Sequence, residues 1–264
     1  MAFEQILVEK KREHVTTVTL NRPNVMNAIS PETSKELDTA FNEFADDPDA
    51  WICIVTGAGD RAFSAGNDLK YQATHSPEEM RKAMEGIKGG FGGVTSRWDC
   101  FKPFIAAVNG LALGGGFEVA LACDIIIAAD NATFGFPEHR VGLMPGAGGV
   151  HRLPRQMPYH IAMGLIMTSR RITAEEAMKW GVINEVVPQA ELMSTVDKWI
   201  DEIMLGAPLS LRASKESTLK GLHMPLEEAM SMNYPGLQRM YGSEDVKEGP
   251  IAFVQKRPPQ WKGR

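Results

Sequence analysis

The stretch PFIAAVNGLALGGGFEVALACDIIIAAD, residues 103–130, sets two apolar runs around three glycines and one glutamate. PFIAAVNGLAL has the length and unbroken apolarity of a buried strand, and DIIIAAD has the same character. Between them, Gly114, Gly115 and Gly116 lead into a short apolar helix. A strand, a helix and a further strand are the beginning of an α/β fold, in which helices cover a sheet. The carboxylate of this unit, Glu118, falls in the first helical turn. There the helix dipole favours a negative charge by about 0.3–1 kcal/mol, which by itself is a sufficient reason for the residue.

Outward from this stretch the alternation continues. HVTTVTLNRP (14–23) reads as a strand that ends before Pro23. SPETSKELDTAFNEFADDP (30–48) reads as a helix: Ser30 is the N-cap, Pro31 lies in the first turn, and Leu37, Phe41 and Phe44 share a face. WICIVTGAG (51–59) is a buried strand closed by a glycine turn, and FSAGNDLK (63–70) follows as a loop. Residues 71–100 are polar and helical in places. GIKGGFGG (86–93) interrupts them and reads as a flexible surface loop that doubles as a mobile cover on a binding site. ATFGFPEHRVGLMPGAGGVHRL (132–153) is a strand and a long loop entering a helix. TAEEAMKWGVINEVVP (173–188) is a helix from Thr173, then a strand ended by Pro188. Beyond residue 189 the chain is mostly helical. The expectation is an α/β core over residues 1–190 carrying the ligand site, and a separate helical layer over 191–264.

The 264 residues are enough for one large domain with a substantial core. Hydrophobic residues are 44% and charged residues 23%, the balance of an ordinary globular chain. A net charge of −5 makes neither a nucleic-acid backbone nor an anionic membrane a default partner. Cys53, Cys100 and Cys123 lack C-x-x-C spacing and read as small buried hydrophobes, reduced in a cytoplasmic compartment. The start of the chain, MAFEQILVEKKREHV, is charged, with no signal-peptide pattern, and no window reaches the ~18 apolar residues of a membrane span.

Several chemistries lack their motifs. There is no G-x-S-x-G elbow and no G-x-x-x-x-G-K-[ST] loop. GAGDRA and GAGGVH lack the third glycine of a dinucleotide fingerprint, and no His or Cys pair has metal-ligand spacing.

Four pieces remain: NRPNVMNAIS (21–30), FSAGNDLK (63–70), AAVNGLALGGGFEVALACD (106–124) and FGFPEHRVGLMPGAGGVHRLPR (134–155). In this order and spacing they resemble the enoyl-CoA hydratase/isomerase, or crotonase, superfamily over almost the whole chain. The tail EGPIAFVQKRPPQWKGR (248–264) is similar to the family's usual ending. Within the family, FSAG-DLK, GGGFE-ALA-D and the SED…EGP-AF…KR…WKGR ending look most like carnitinyl-CoA dehydratases. The resemblance implies a spiral of repeated β-β-α units, with a helical C-terminal region that makes trimers and covers the CoA site. Two such trimers commonly stack into a hexamer.

It also implies a reaction through an enolate, the reversible hydration of a 2-enoyl-CoA to a 3-hydroxyacyl-CoA. Charge developing on the thioester oxygen is stabilised by preorganised backbone N–H groups, and glycine lets backbone approach a ligand closely. By resemblance the donors are the N–H groups of Asn67 and Gly115. Hydration also needs one group to take a proton from water and another to deliver one to the α-carbon. The family's hydratases carry glutamates at both positions held here by Glu118 and Glu138. We assign Glu118 to the water and Glu138 to the α-proton. The nearest rival is a Δ3-Δ2-enoyl-CoA isomerase, which needs a single acid/base. A C–C-cleaving hydratase and a non-catalytic acyl-CoA- or RNA-binding member are weaker rivals.

Coenzyme A is implied as part of the substrate, with no cofactor or metal bound permanently. The resemblance sets it against Ala28, Ala65, Asp68, Leu69 and Lys70, with Arg22 and Lys70 as phosphate neighbours and Phe253 and Lys256 as adenine contacts. Two positions depart from the family pattern. Asn67 stands where a small or apolar residue is usual in hydratases, and His139 follows Glu138 where a small or apolar residue is commoner. Residues 71–100, which line the acyl pocket in the family, are the least family-like.

Overall fold

The computed structural model describes residues 3–264. Its N-terminal hairpin pairs β1 (Ile6–Arg12) antiparallel to β2 (Val15–Leu20). The charged composition of β1 hides it from a reading of apolar pattern. Its place at the sheet edge explains the lysines, because edge strands commonly carry charge that discourages pairing with a second chain. Helix α1 (Pro31–Asp46) starts where its sequence says: Ser30 is the N-cap and its hydroxyl accepts the Thr33 N–H, while Leu37, Phe41 and Phe44 are buried.

Three successive units then repeat one plan. β3 (Ile52–Gly57) enters the large sheet and β4 (Ala62–Ser64) crosses to a smaller one, followed by α2 (Leu69–Thr74) and α3 (Pro77–Ala83). β5 (Phe104–Val108), β6 (Leu111–Leu113) and α4 (Gly115–Ala122) repeat it. β7 (Ile125–Ala129) and β8 (Thr133–Gly135) lead through a 3-10 turn, Glu138–Val141, to α5 (Gly149–Gln156) and α6 (Tyr159–Thr168). β9 (Ile172–Thr173), α7 (Ala174–Lys179) and β10 (Glu185–Val187) complete the sheets. The large sheet has the order β1-β2-β3-β5-β7-β10 and the small one β4-β6-β8-β9. Apart from the β1–β2 and β8–β9 pairs, the pairing is parallel. Each turn of the β-β-α spiral thus adds one strand to each sheet. The remaining chain is helical: α8 (Leu192–Met204), α9 (Pro208–Gly221), α10 (Leu226–Ser231), α11 (Pro235–Tyr241) and α12 (Asp245–Gln255).

PFIAAVNGLAL is two strands rather than one, and the break is made by Asn109 and Gly110. The Asn109 amide donates to the carbonyls of Gly57 (2.8 Å) and Gly59 (2.7 Å), and its Oδ1 accepts the Gly57 N–H. A buried side chain therefore supplies hydrogen bonds that the ladder loses at the corner. A Cβ on Gly110 would lie 2.5 Å from the Arg61 carbonyl oxygen, so the turn into the second sheet needs glycine.

One face of the large sheet packs with Phe41, Phe44, Phe104, Phe117, Phe134 and Phe136 into the main core. The other face packs Ile52, Ile54, Ile105 and Ile127 against Leu192, Val196 and Ile200 of α8. The three cysteines are free and buried. Among the described residues no helix is long and apolar enough to cross a membrane.

The expected mobile cover at 86–93 is corrected. Gly89, Gly92 and Gly93 are buried, and the segment is clamped onto α1. Asp38 accepts the Gly89 N–H (2.8 Å) and pairs with the buried Arg97 guanidinium (2.5 Å). Arg97 Nε in turn donates to the Gly93 carbonyl at 2.8 Å. The glycines serve close packing: a Cβ on Gly93 would come within 2.5 Å of the Asp38 backbone nitrogen. Composition suggested freedom, and a buried ion pair removes it.

Candidate active site

The three glycines at the start of α4 meet three different neighbours. Gly114 has φ +54°, and a Cβ there would lie 2.8 Å from Glu138 Oε1. A Cβ on Gly115 would meet the Phe91 ring at 2.4 Å, and one on Gly116 the Ser64 carbonyl oxygen at 2.2 Å. The tripeptide therefore lets α4 approach the catalytic candidate Glu138, the 86–93 segment and strand β4 together. The close-packing reading of the tripeptide holds here.

Gly115 is the first residue of α4, so its N–H has no intrahelical partner. Among the described residues the N–H of Asn67 has no acceptor either. The bonds that join this loop to the Ala28–Ile29 segment run from Ile29 N–H to the Gly66 carbonyl and from Asp68 N–H to the Ile29 carbonyl, leaving Asn67 out. Gly66, with φ +86°, packs so tightly that a Cβ would lie 2.7 Å from the Gly115 nitrogen. The two loops are thus brought together by a position that only glycine fits comfortably.

Glu118 and Glu138 line the same cavity, together with Asn67 and Gly115. The cavity is about 580 Å³. Glu118 is 3% exposed, and its Oε1 accepts the Gly149 N–H at 2.7 Å. Burial, reinforced by the nearby Glu138 carboxylate, pushes its pKa up to about 7 against the opposing backbone donors Gly149 and Ala147. Glu138 opens the 3-10 turn after β8. Burial raises its pKa as well, and its Oε2 is buried with no hydrogen-bond partner. Two carboxyls with raised pKa values facing one cavity are equipped to hold and exchange a proton near neutral pH.

Residues that the motif reading did not single out complete the walls: Phe91, Leu143, Met144, Gly146 and Ala147, with Gln72 and His75 from α2 and its C-cap. The Gly149 amide that holds Glu118 comes from the MPGAGG loop. Its signal was in the sequence, as Gly148 (φ +111°) and Gly149 open α5. Asn67 turns its side-chain amide to Gln72 Oε1, so the departure at this position is a polar pair on the cavity wall. His139 is exposed, and burial is what raises the Glu138 carboxyl.

Among the expected CoA contacts, Ala28 is buried and Ala65 and Asp68 are half-buried in the loops beside the cavity, while Leu69 and Lys70 are exposed. Arg22 is already engaged: it donates to the Ala28 carbonyl at 2.6 Å and pairs with Asp68 Oδ2 at 2.9 Å. Asp68 also caps α2 by accepting the Tyr71 N–H. These two residues tie the 22–28 and 65–70 loops to each other. Phe253, 85% exposed, and Lys256 lie on and just after α12 and do not line the cavity. Among the described residues no group of three or more His, Cys, Asp or Glu side chains is placed to hold a metal ion.

Comparison with known proteins places the chain in a family. Residues 10–264 match the enoyl-CoA hydratase/isomerase family. The carnitinyl-CoA dehydratase of Escherichia coli O157:H7 is 46% identical over 254 residues, 95% of each chain. That of Salmonella enteritidis PT4 is also 46% identical over 254 residues, again 95% of each chain. The crystal structure of an enoyl-CoA hydratase from Bacillus anthracis superposes with a TM-score of 0.92 at 35% identity, covering 99% of this chain and 100% of the other. A putative short-chain enoyl-CoA hydratase from Novosphingobium aromaticivorans gives 0.88 at 38% identity, covering 98% of both.

Proposed function

We propose, for a chain that belongs to the enoyl-CoA hydratase/isomerase family, that its cavity carries out the reversible hydration of a 2-enoyl-CoA thioester. The observation that carries the reading is the buried, unpartnered Glu138 Oε2, lining the same cavity as Glu118 and the two unpaired N–H groups of Asn67 and Gly115.

The reading assigns each group one task. The thioester oxygen accepts the N–H groups of Asn67 and Gly115, which stabilise the enolate as charge develops; one such donor is worth ~10²–10³ in rate. In hydration Glu118, as carboxylate, takes a proton from water while the oxygen bonds to the β-carbon. Glu138, as carboxylic acid, delivers its proton to the α-carbon. In dehydration the carboxyls exchange roles: Glu138 removes the α-proton and Glu118 protonates the departing hydroxyl. Water is added or lost with no redox change. Coenzyme A belongs to the substrate, held at the Ala28 and Ala65–Lys70 loops.

Glu118 favours this reading over a Δ3-Δ2-enoyl-CoA isomerase, which needs a single acid/base. The residue is buried and raised to about 7, a costly placement for a carboxylate without a task. The similarity to carnitinyl-CoA dehydratases supports a second, finer reading, a carnitinyl-type substrate. The C-terminal helices carry exposed Leu219, Leu222, Ile251 and Phe253. They support a homo-oligomer, trimer or hexamer, in which residues 191–264 form the contact and cover the CoA site.

Purified protein mixed with crotonyl-CoA tests the reading. The expected result is loss of the conjugated thioester absorbance on hydration. An unchanged spectrum with crotonyl- and crotonobetainyl-CoA, alongside conversion of a 3-enoyl-CoA to its 2-enoyl isomer, overturns it in favour of an isomerase.

A further inference from the structure

A second cavity, of about 710 Å³, shares the wall residues Phe91, Gly146 and Ala147 with the cavity of the two glutamates. Its remaining lining includes Arg152, Arg155, His151 and His223, and it contains no aspartate or glutamate. Such a lining presents two permanent positive charges and none to balance them. Arg152 is the centre of it. The residue is half-buried, one turn along α5 from Gly149, whose amide holds Glu118. Its guanidinium lies against Gly148, where a Cβ would meet Nη1 at 2.2 Å. Nη2 donates to the Thr95 carbonyl at 2.8 Å. No carboxylate lies within ion-pairing distance of Arg152 among the described residues. Glu118 acts on it only through space, beyond ion-pairing distance, and a half-buried arginine with no direct counter-ion is costly unless something supplies the charge.

We infer that this cavity receives the distal end of the acyl group, and that Arg152 selects substrates ending in a carboxylate: a short ω-carboxyacyl thioester. The inference rests on the hydratase reading for the direction of the acyl chain from Glu118. It departs from a carnitinyl-type substrate, whose distal group is a quaternary ammonium. Two aromatic side chains line the cavity, Phe91 and Trp98; over Trp98, the stronger cation–π partner of the two, the Arg152 guanidinium already lies, 5.3 Å from the ring centroid. A guanidinium offers a carboxylate two parallel N–H donors, and it repels a second cation. The phosphates of coenzyme A carry the same chemistry as a carboxylate, so the test separates the two.

Three saturated thioesters that cannot be hydrated serve as probes: adipyl-CoA, its monomethyl ester and hexanoyl-CoA. Their affinities for the unmodified protein are measured by calorimetry. Adipyl-CoA is expected to bind about tenfold to a hundredfold more tightly than either of the others. Arg152→Gln is expected to abolish the preference and Arg152→Lys to keep part of it. Equal affinities for the three thioesters in the unmodified protein overturn the inference. So does an Arg152→Gln variant that weakens all three by the same factor, since the arginine then reads the CoA phosphates or only supports the Gly148 loop. The probes are not turned over, so the outcome separates from that of the hydration assay. A protein that prefers adipyl-CoA yet hydrates no 2-enoyl-CoA supports the cavity assignment and removes the hydratase reading.

Discussion

The Gly149 amide donates to Glu118 Oε1 at 2.7 Å, from a residue 31 positions along the chain. That bond opposes the burial that lifts the Glu118 pKa to about 7.

In the proposed mechanism hydration uses ionised Glu118 and protonated Glu138, and dehydration uses the reverse. The two forms differ only in where a single proton sits. The pH profile of kcat/KM is therefore expected to be bell-shaped and to superimpose for the two directions, with apparent pKa values that belong to the pair. Its basic limb falls as pH rises through about 7, where the pair gives up the one proton it holds. Rates measured from pH 5 to 9 check this; a kcat/KM that stays flat as pH rises through 7 contradicts proton sharing.

The same group makes stability depend on pH. The folded pKa of Glu118 lies above its unfolded value of about 4.3, so the folded state holds the extra proton between the two values. The Glu118 contribution is fully present below about 4.3 and is lost as pH rises through about 7. It amounts to about 4 kcal/mol at most. Glu118→Gln has no such proton, so urea midpoints at pH 5 and 8 are expected to differ less in the variant than in the parent. An equal drop in both removes Glu118 as the cause.

The two glutamates separate by isotope exchange. Butyryl-CoA has an α-proton but no hydroxyl to lose. Glu138→Gln is expected to lower both hydration and α-proton exchange into deuterated water by about 10²–10⁴. Glu118→Gln is expected to lower hydration by a similar factor and to retain most of the exchange. Mass spectrometry of the thioester reads the difference; a Glu138→Gln variant that still exchanges at the parent rate reverses the assignment.

Gly114→Ala is expected to destabilise the fold by about 1–3 kcal/mol, because φ of +54° strains any side chain and the new methyl meets Glu138 Oε1 at 2.8 Å. The displaced carboxyl lowers kcat more than it raises KM. Thermal denaturation and steady-state kinetics together test this, and a variant with unchanged kcat shows that Glu138 can move aside freely.

Asp38→Ala removes the partner of the buried Arg97 and the acceptor of the Gly89 N–H. The expected cost is about 3–5 kcal/mol. Residues 86–97 are expected to exchange amide hydrogens much faster than in the parent, while β5 and β7 stay protected. Exchange at 86–97 that is already fast in the parent restores the mobile-cover reading.

Much of the fold was legible because its signals are local. Ser30 before Pro31, Thr173 before an acidic turn, and the glycines before Phe117 mark helix starts at their observed places. The apolar runs of β3, β5 and β7 announce buried strands. Two local signals misled. β1 carries the charge of an edge strand, and Asn109 looked like one polar residue inside a single strand until its bonds to Gly57 and Gly59 made it a corner.

The residues themselves determined the alternation, the helix starts and the four motifs, since each depends on neighbours a few positions away. Tertiary structure decided which backbone groups stay unpaired and which carboxylates lose water. The loops that carry Gly115 and Asn67 meet because Gly66 lets one backbone pack against the other. Glu118 is raised because the packed chain buries it beside Glu138, against the opposing Gly149 amide. Arg97 ties down a glycine run that composition would leave loose. Desolvation and close approach are properties of the packed chain, summed over contacts between residues far apart in sequence, and local pattern does not encode them.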